Sequence, residues 1–236
     1  MSIRKTTFAA VLTALLTLTP RVADAVPITD LFEGATLTAA DKLFDDWSLL
    51  DVQTVNGASA VLSAVDVTPL TDDPLNPGVK FTTDGLALGT PFGHQGPSSA
   101  SVRFSYSVQT ISGEPLIKDN SLFLNGFTFD AGPQATITIS ETVTDALGAV
   151  LGTKVVFANS FDSPGSGDPD HFDFAEFDPR DIVFVETFVD IQGPGTNDGA
   201  VLAGFEQRFS QVPEPAAGLL AFLGLPLLRR ARGRGA

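Results

Sequence analysis

A chain of 236 residues that is 43% hydrophobic is long enough to bury one sizeable core, and having no cysteine it can form no disulfide, thiolate metal site or cysteine nucleophile. Its formal net charge is −14, but residues 26–212 carry 7 Lys and Arg against 26 Asp and Glu, a formal charge of 7 − 26 = −19. A surface of that sign repels nucleic acid and anionic lipid heads, and it leaves carboxylates free for divalent cations.

Residues 1–25 read as a secretory signal peptide. Arg4 and Lys5 form its charged start, Phe8 to Leu18 its apolar stretch, and Ala23-Asp24-Ala25 the small-x-small cleavage site that leaves Val26 as the first mature residue. From there to residue 211 the chain is rich in Phe, Val, Thr, Ile and Ser, with Gly and Pro at short intervals. No segment keeps a helical period for long.

Strands are expected over Ala58 to Val67, Gly78 to Thr83, Val102 to Gln109, Ser121 to Phe129, Ala135 to Val143, Lys154 to Ala158, Ile182 to Ile191 and Val201 to Phe209. The clearest puts Val102, Phe104, Tyr106 and Val108 on one face and Arg103, Ser105, Ser107 and Gln109 on the other. That period of two with one wet face belongs to an antiparallel sheet. In Ala135 to Val143, Glu141 falls on the apolar side, so it is expected near an edge or paired. Turn clusters punctuate these runs at Asn56-Gly57, Asp72 to Gly78, Ser112-Gly113-Glu114-Pro115, Asn125-Gly126 and Gly193-Pro194-Gly195. Asn125-Gly126 between two apolar triplets is a hairpin signal. Eight to ten short strands of this kind predict an all-β fold: an antiparallel, jelly-roll-like β-sandwich over residues 26–211 as a single domain.

Candidate chemistry is sparse. Asp162 to Asp173, continuing to Glu176, Asp178 and Asp181, is a Gly- and Pro-containing acidic stretch read as a loop. Asp168, Asp170 and Asp173 are the first candidates for hard-oxygen ligation of Ca²⁺, although the spacing fails the EF-hand pattern. Beyond that possible ion no cofactor is indicated. His94 and His171 are the only histidines, read as exposed loop residues, and no Gly-x-Ser-x-Gly elbow flanks any serine, so no enzyme is expected. Trp47 and Tyr106 are read as core, as is Phe on strands, which leaves a sugar-stacking surface without evident candidates.

The last 25 residues carry the sharpest signal. Pro213-Glu214-Pro215 enforces an extended segment, residues 216–228 are uncharged and apolar, and Arg229, Arg230, Arg232 and Arg234 form a basic stop that the positive-inside rule keeps cytoplasmic. This tail, residues 212–236, resembles the PEP-CTERM sorting signal of Gram-negative bacteria. The apolar run is short for it: thirteen residues rise about 20 Å as a helix, against a hydrocarbon core of roughly 30 Å. The body resembles a recurring PEP-CTERM ectodomain at Asp41-Lys42-Leu43-Phe44, Ser140-Glu141-Thr142-Val143 and Phe205 to Val212.

The resemblance implies export through the Sec machinery, transient anchoring in the inner membrane through the C-terminal apolar helix, and processing by an exosortase at Pro213, Glu214 and Pro215. The destination is the cell envelope, outer surface or extracellular matrix, with a structural or adhesive role in exopolysaccharide or biofilm. The alternative is a carbohydrate- or Ca²⁺-binding adhesion module, and a secreted hydrolase comes third.

Overall fold

The computed structural model describes residues 24–111, 115–130 and 134–211. The signal-peptide residues through Ala23, the turn at Ser112-Gly113-Glu114 and the whole stretch from Val212 onward, with its Pro-Glu-Pro motif, apolar run and arginines, lie outside the described residues. Ala25 is exposed immediately before the first strand. No helix among the described residues is long and apolar enough to cross a membrane.

Two antiparallel sheets face each other. The first holds β1 (Val26–Pro27), β4 (Ser59–Ala60), β5 (Val65–Leu70), β6 (Gly78–Thr83), β7 (Leu88–Thr90), β9 (Ile117–Phe129), β12 (Phe172–Arg180) and β14 (Ala200–Gln211). One edge of β14 pairs with β6 and then β7; its other edge pairs with β9, which carries the outer β12. The second sheet runs β11 (Val150–Asn159), β10 (Thr136–Thr144), β13 (Ile182–Gly193), β8 (Ser98–Thr110), β3 (Lys42–Val55) and β2 (Leu37–Ala39) in spatial order. The all-β antiparallel sandwich is therefore the fold. Its strands are longer than expected, with five of 12 to 14 residues among the fourteen described.

The core follows from strand periodicity. Alternate residues of β8, β10, β13 and β14 point between the sheets, and Trp47 stacks on Tyr106 at 4.3 Å while Phe81 stacks on Phe205 at 4.4 Å. Phe44 and Trp47 both face inward although three residues apart, because Asp46 at φ 54° and a register shift against β8 between Asp45 and Ser48 reverse the phase of β3. The short helix α1 (Ile28–Phe32) adds Ile28 and Leu31 to the same core.

Two sequence expectations are corrected here. Asn125-Gly126 makes no hairpin, and β9 runs straight through it. The pair sits where β9 and β14 shift register, and a Cβ on Gly126 would lie 2.8 Å from the Gly204 nitrogen, so glycine serves close backbone approach instead of a turn. The acidic stretch past His171 is not a loop either: Phe172 to Arg180 forms the edge strand β12. Phe172, Asp173 and Phe174 alternate as a strand does, but Ala175 breaks the phase and the density of carboxylates obscures the signal.

Candidate functional site

Inside the sandwich lies a closed set of polar side chains. Lys154 Nζ is 3.4 Å from Glu141 Oε1 and donates to Asn120 Oδ1; Gln207 Nε2 donates to Glu141 Oε2 at 3.1 Å and to Thr187 Oγ1 at 2.9 Å; the Tyr106 hydroxyl donates to Gln207 Oε1. Asn120 completes the set by donating to the Arg208 carbonyl at 3.2 Å. All of these side chains are buried, and they come from both sheets.

Burial pushes the Glu141 carboxyl up and the Lys154 ammonium down, each opposed by the other's charge. Burial, with the nearby Glu141 charge, holds the Tyr106 hydroxyl well above its ordinary range. Of the two expectations for Glu141, an edge or a partner, the partner holds: it is paired with Lys154, and β10 is an interior strand. A second lock joins the start of β3 to the end of β14, where buried Lys42 donates to Gln211 Oε1 and Asp41 Oδ2, both at 2.7 Å. These groups bond chiefly to one another across the two sheets, with Glu141 Oε1 held by the Lys154 charge and Asp41 Oδ1 left without a hydrogen bond, and they fasten the sheets together.

The outer face of the first sheet is different. Where Asn120, Leu122 and Leu124 of β9 point inward, Asp119, Ser121 and Phe123 point out; Glu206, Arg208 and Ser210 of β14 point out likewise. Register aligns them in rows, Phe172–Phe123–Glu206 and Phe174–Ser121–Arg208. Phe123, Phe172 and Phe174 are 39%, 49% and 59% exposed and form a continuous aromatic wall, with ring centroids 6.4 and 6.2 Å apart.

Facing that wall, Arg208 grips Asp72 in a bidentate pair at 3.0 and 3.2 Å and reaches Glu206 at 3.4 Å. Glu206 also accepts from Asn125 Nδ2 at 2.8 Å and lies 3.5 Å from Lys80. The donated bonds from Arg208 hold the Asp72 carboxyl below the usual carboxylate range. Between the two walls is a cleft of about 480 Å³ floored by Ser121. Phe174 and Arg208 stand two strand spacings apart, roughly 10 Å. A flat ring lying on Ser121 would have aromatic carbon on one side and charged donors and acceptors on the other.

Phe172 and Phe174 point outward because the opposite side of β12 is already occupied. Asp173 Oδ2 accepts from the Val155 N–H of β11 at 2.9 Å, and Ala175 lies against Gly152. That contact covers the exposed edge of the second sheet. The reading of strand Phe as core is thus corrected for Phe123, while Phe172 and Phe174, placed by the sequence in a loop, are exposed on an edge strand. Period-two alternation places residues on opposite faces without saying which face is dry. A usable signal was nevertheless present: Phe172 and Phe174 flank Asp173, and Phe123 shares its parity with Asp119 and Ser121.

The remaining candidates divide. Asp168 caps a 3-10 turn by accepting from Asp170 N at 3.0 Å, Asp170 is exposed, and Asp173 is engaged by β11, so Asp168, Asp170 and Asp173 make different local contacts. Asp168 is instead grouped with Asp162 and His171. Both histidines are buried, not exposed: His94 ring nitrogens face the Gly96 carbonyl at 2.5 Å and the Asp198 carbonyl at 3.4 Å, while His171 packs edge-on against Phe127. Trp47 and Tyr106 belong to the core, as read from the sequence.

The class that fold and face define is an antiparallel β-sandwich with a half-aromatic, half-polar outer cleft. No protein-family model matches the chain, and no curated protein is similar to it in sequence. Among solved structures it is similar to TmCBM61 in complex with β-1,4-galactotriose, at 15% identity over 69% of this chain and 87% of that one, with a TM-score of 0.27. It is also similar to TmCBM27, a carbohydrate-binding module described for specific mannan recognition, at 8% identity over 81% and 97% with a TM-score of 0.35. A DUF4465 family protein from Bacteroides caccae matches at 12% identity over 66% and 91%, TM-score 0.22. Likeness at this level carries no argument about ligand, which rests on the cleft itself.

Proposed function

We propose that this chain is an exported envelope or matrix protein whose sandwich binds a polysaccharide in the cleft between Phe123, Phe172 and Phe174 on one side and Arg208 with Glu206 on the other. The observation that supports the reading is the aromatic wall: three half-exposed Phe rings aligned along two adjacent strands, opposite charged hydrogen-bonding groups. A sugar ring is amphipathic in the same sense. Its axial C–H face meets the electron-rich face of an aromatic ring, and its equatorial hydroxyls bond Arg and carboxylate groups at the rim. A large exposed apolar group in a protein of formal charge −14 also costs solubility, which favours a role in contact.

Glycan-array and affinity-gel binding of the mature protein test this, with F172A/F174A as the variant. Retention on neutral polysaccharide that the double substitution abolishes is the expected result; equal retention of both proteins would refute the assignment. Delivery to the envelope belongs to the same proposal and rests on residues 213–215. Substituting Pro213-Glu214-Pro215 should shift the protein between membrane, envelope and medium fractions, and an unchanged distribution would count against sorting.

A further inference from the structure

We propose that Asp162, Asp168 and His171 form a site for one divalent transition-metal ion of the zinc class, which pins the segment joining the two sheets. The three residues lie on the connection between β11 and β12, which leaves the edge of the second sheet and enters the edge of the first. Asp162 follows the end of β11 and accepts from Asn159 N at 2.7 Å through Oδ2; Asp168 opens the 3-10 turn that His171 closes. Gly165 and Gly167, at φ 73° and 74°, supply the left-handed backbone that folds the intervening residues back. The result is that one oxygen of each carboxylate and one imidazole nitrogen lie within 4.8 Å of one another.

The histidine makes this more than an acidic cluster. His171 is only 2% exposed, and its Nε2 has no hydrogen-bond partner, being 3.8 Å from Asp162 Oδ2. A buried ring nitrogen without a partner costs stability unless something supplies one. A cation here would take that lone pair and neutralise two carboxylates held close together. The donor set chooses the ion. Ca²⁺ prefers six to eight oxygens, whereas one imidazole nitrogen with two carboxylates suits Zn²⁺ and its first-row neighbours. Bonds of 2.0 to 2.2 Å in a tetrahedron separate ligand atoms by roughly 3.4 Å, so the group closes on an ion through side-chain movements of about an ångström. The chain runs from His171 directly into Phe172, so the ion also fixes the start of the aromatic strand. The site itself needs no glycan to exist.

Titration of the chelator-treated full-length protein with Zn²⁺ in a calorimeter tests the assignment without any sugar present. One equivalent should bind, and at a free Zn²⁺ concentration a hundredfold above Kd the melting temperature should rise by about 5–10 °C. H171A should weaken Zn²⁺ binding at least a hundredfold and D162N about tenfold, while D170N, an exposed neighbour, should leave it unchanged. Nitrogen-15 NMR of the wild-type histidines, of which there are two, gives a readout that survives an unstable variant. Zn²⁺ should shift Nε2 of His171 and spare His94. Absence of Zn²⁺ binding, preference for Ca²⁺ over Zn²⁺, undiminished binding by H171A, or a histidine spectrum that Zn²⁺ leaves unmoved would each overturn the proposal.

Discussion

Strands β9 and β14 present two polar regions separated by the thickness of one sheet. On the inner side Asn120 and Gln207 join Tyr106, Glu141, Lys154 and Thr187; on the outer side their sequence neighbours Asp119, Ser121, Glu206 and Arg208 line the cleft beside the Phe rings. Residue types alone do not separate the regions, since each contains an acid, a base and an aromatic. What separates them is closure. The inner groups are buried and spend their hydrogen bonds on one another, which makes them a fastener. The outer groups keep faces open to water, and next to exposed rings that makes a recognition surface.

The sharpest way to break this comparison is to unpair the inner region. E141A leaves the Lys154 ammonium buried without its partner and should cost about 3–5 kcal/mol, read as a urea-unfolding midpoint shift. The doubly apolar E141L/K154M should recover most of that loss, because removing both charges removes the desolvation cost as well. Should the single and double variants prove equally unstable, the pair would not be acting as a unit.

On the outer side the order of effects reverses, with function falling before stability. F172A/F174A should weaken oligosaccharide binding by at least tenfold while changing unfolding free energy by no more than about 1 kcal/mol, since both rings are already half in water. A loss of stability as large as that of E141A would place these rings with the fastener instead. R208A should lower glycan affinity about tenfold, because Arg208 also orients Asp72 and Glu206; calorimetric titration with the oligosaccharide identified on the array checks it.

The smallest effect is electrostatic. The Asp72 carboxyl is held low chiefly by hydrogen bonds from Arg208, and it is largely exposed. A depressed carboxylate contributes stability that is present above its unfolded value near 3.9 and is lost as pH falls through the lower folded value. For a surface pair that contribution is under about 1 kcal/mol. The difference in stability between wild type and D72N should therefore be constant above pH 5 and shrink as pH falls below the unfolded value. A difference that does not shrink at all between pH 5 and pH 2.5 would mean Asp72 acts by packing and not by charge.

The three short stretches that suggest a shared ectodomain acquire a physical meaning in the sandwich. Asp41 to Phe44 supplies Lys42, Ser140 to Val143 supplies Glu141, and Phe205 to Val212 supplies Gln207 and Gln211: four of the residues that lock sheet to sheet. They identify a way of holding the fold together. Gln211, tied to Lys42 and donating its backbone N–H to the Leu75 carbonyl at 3.2 Å, is the last residue of β14, one position before the proposed sorting segment.

The amino-acid order by itself determined that the body is an antiparallel β-sandwich, that Trp47 and Tyr106 are core, and that Glu141 must either sit at an edge or be paired. Alternation with period two, turn chemistry and the cost of a bare buried charge are local facts. Tertiary structure decided that β12 lies at the edge of the first sheet, which faces of β9 and β12 stay open to water, and that Asp162 and His171 join Asp168 in place of Asp170 and Asp173. Which side of a strand is dry depends on the sheet packed against it, and which loop residues meet depends on where two sheet edges come together. Neither quantity is written in the spacing of the residues concerned.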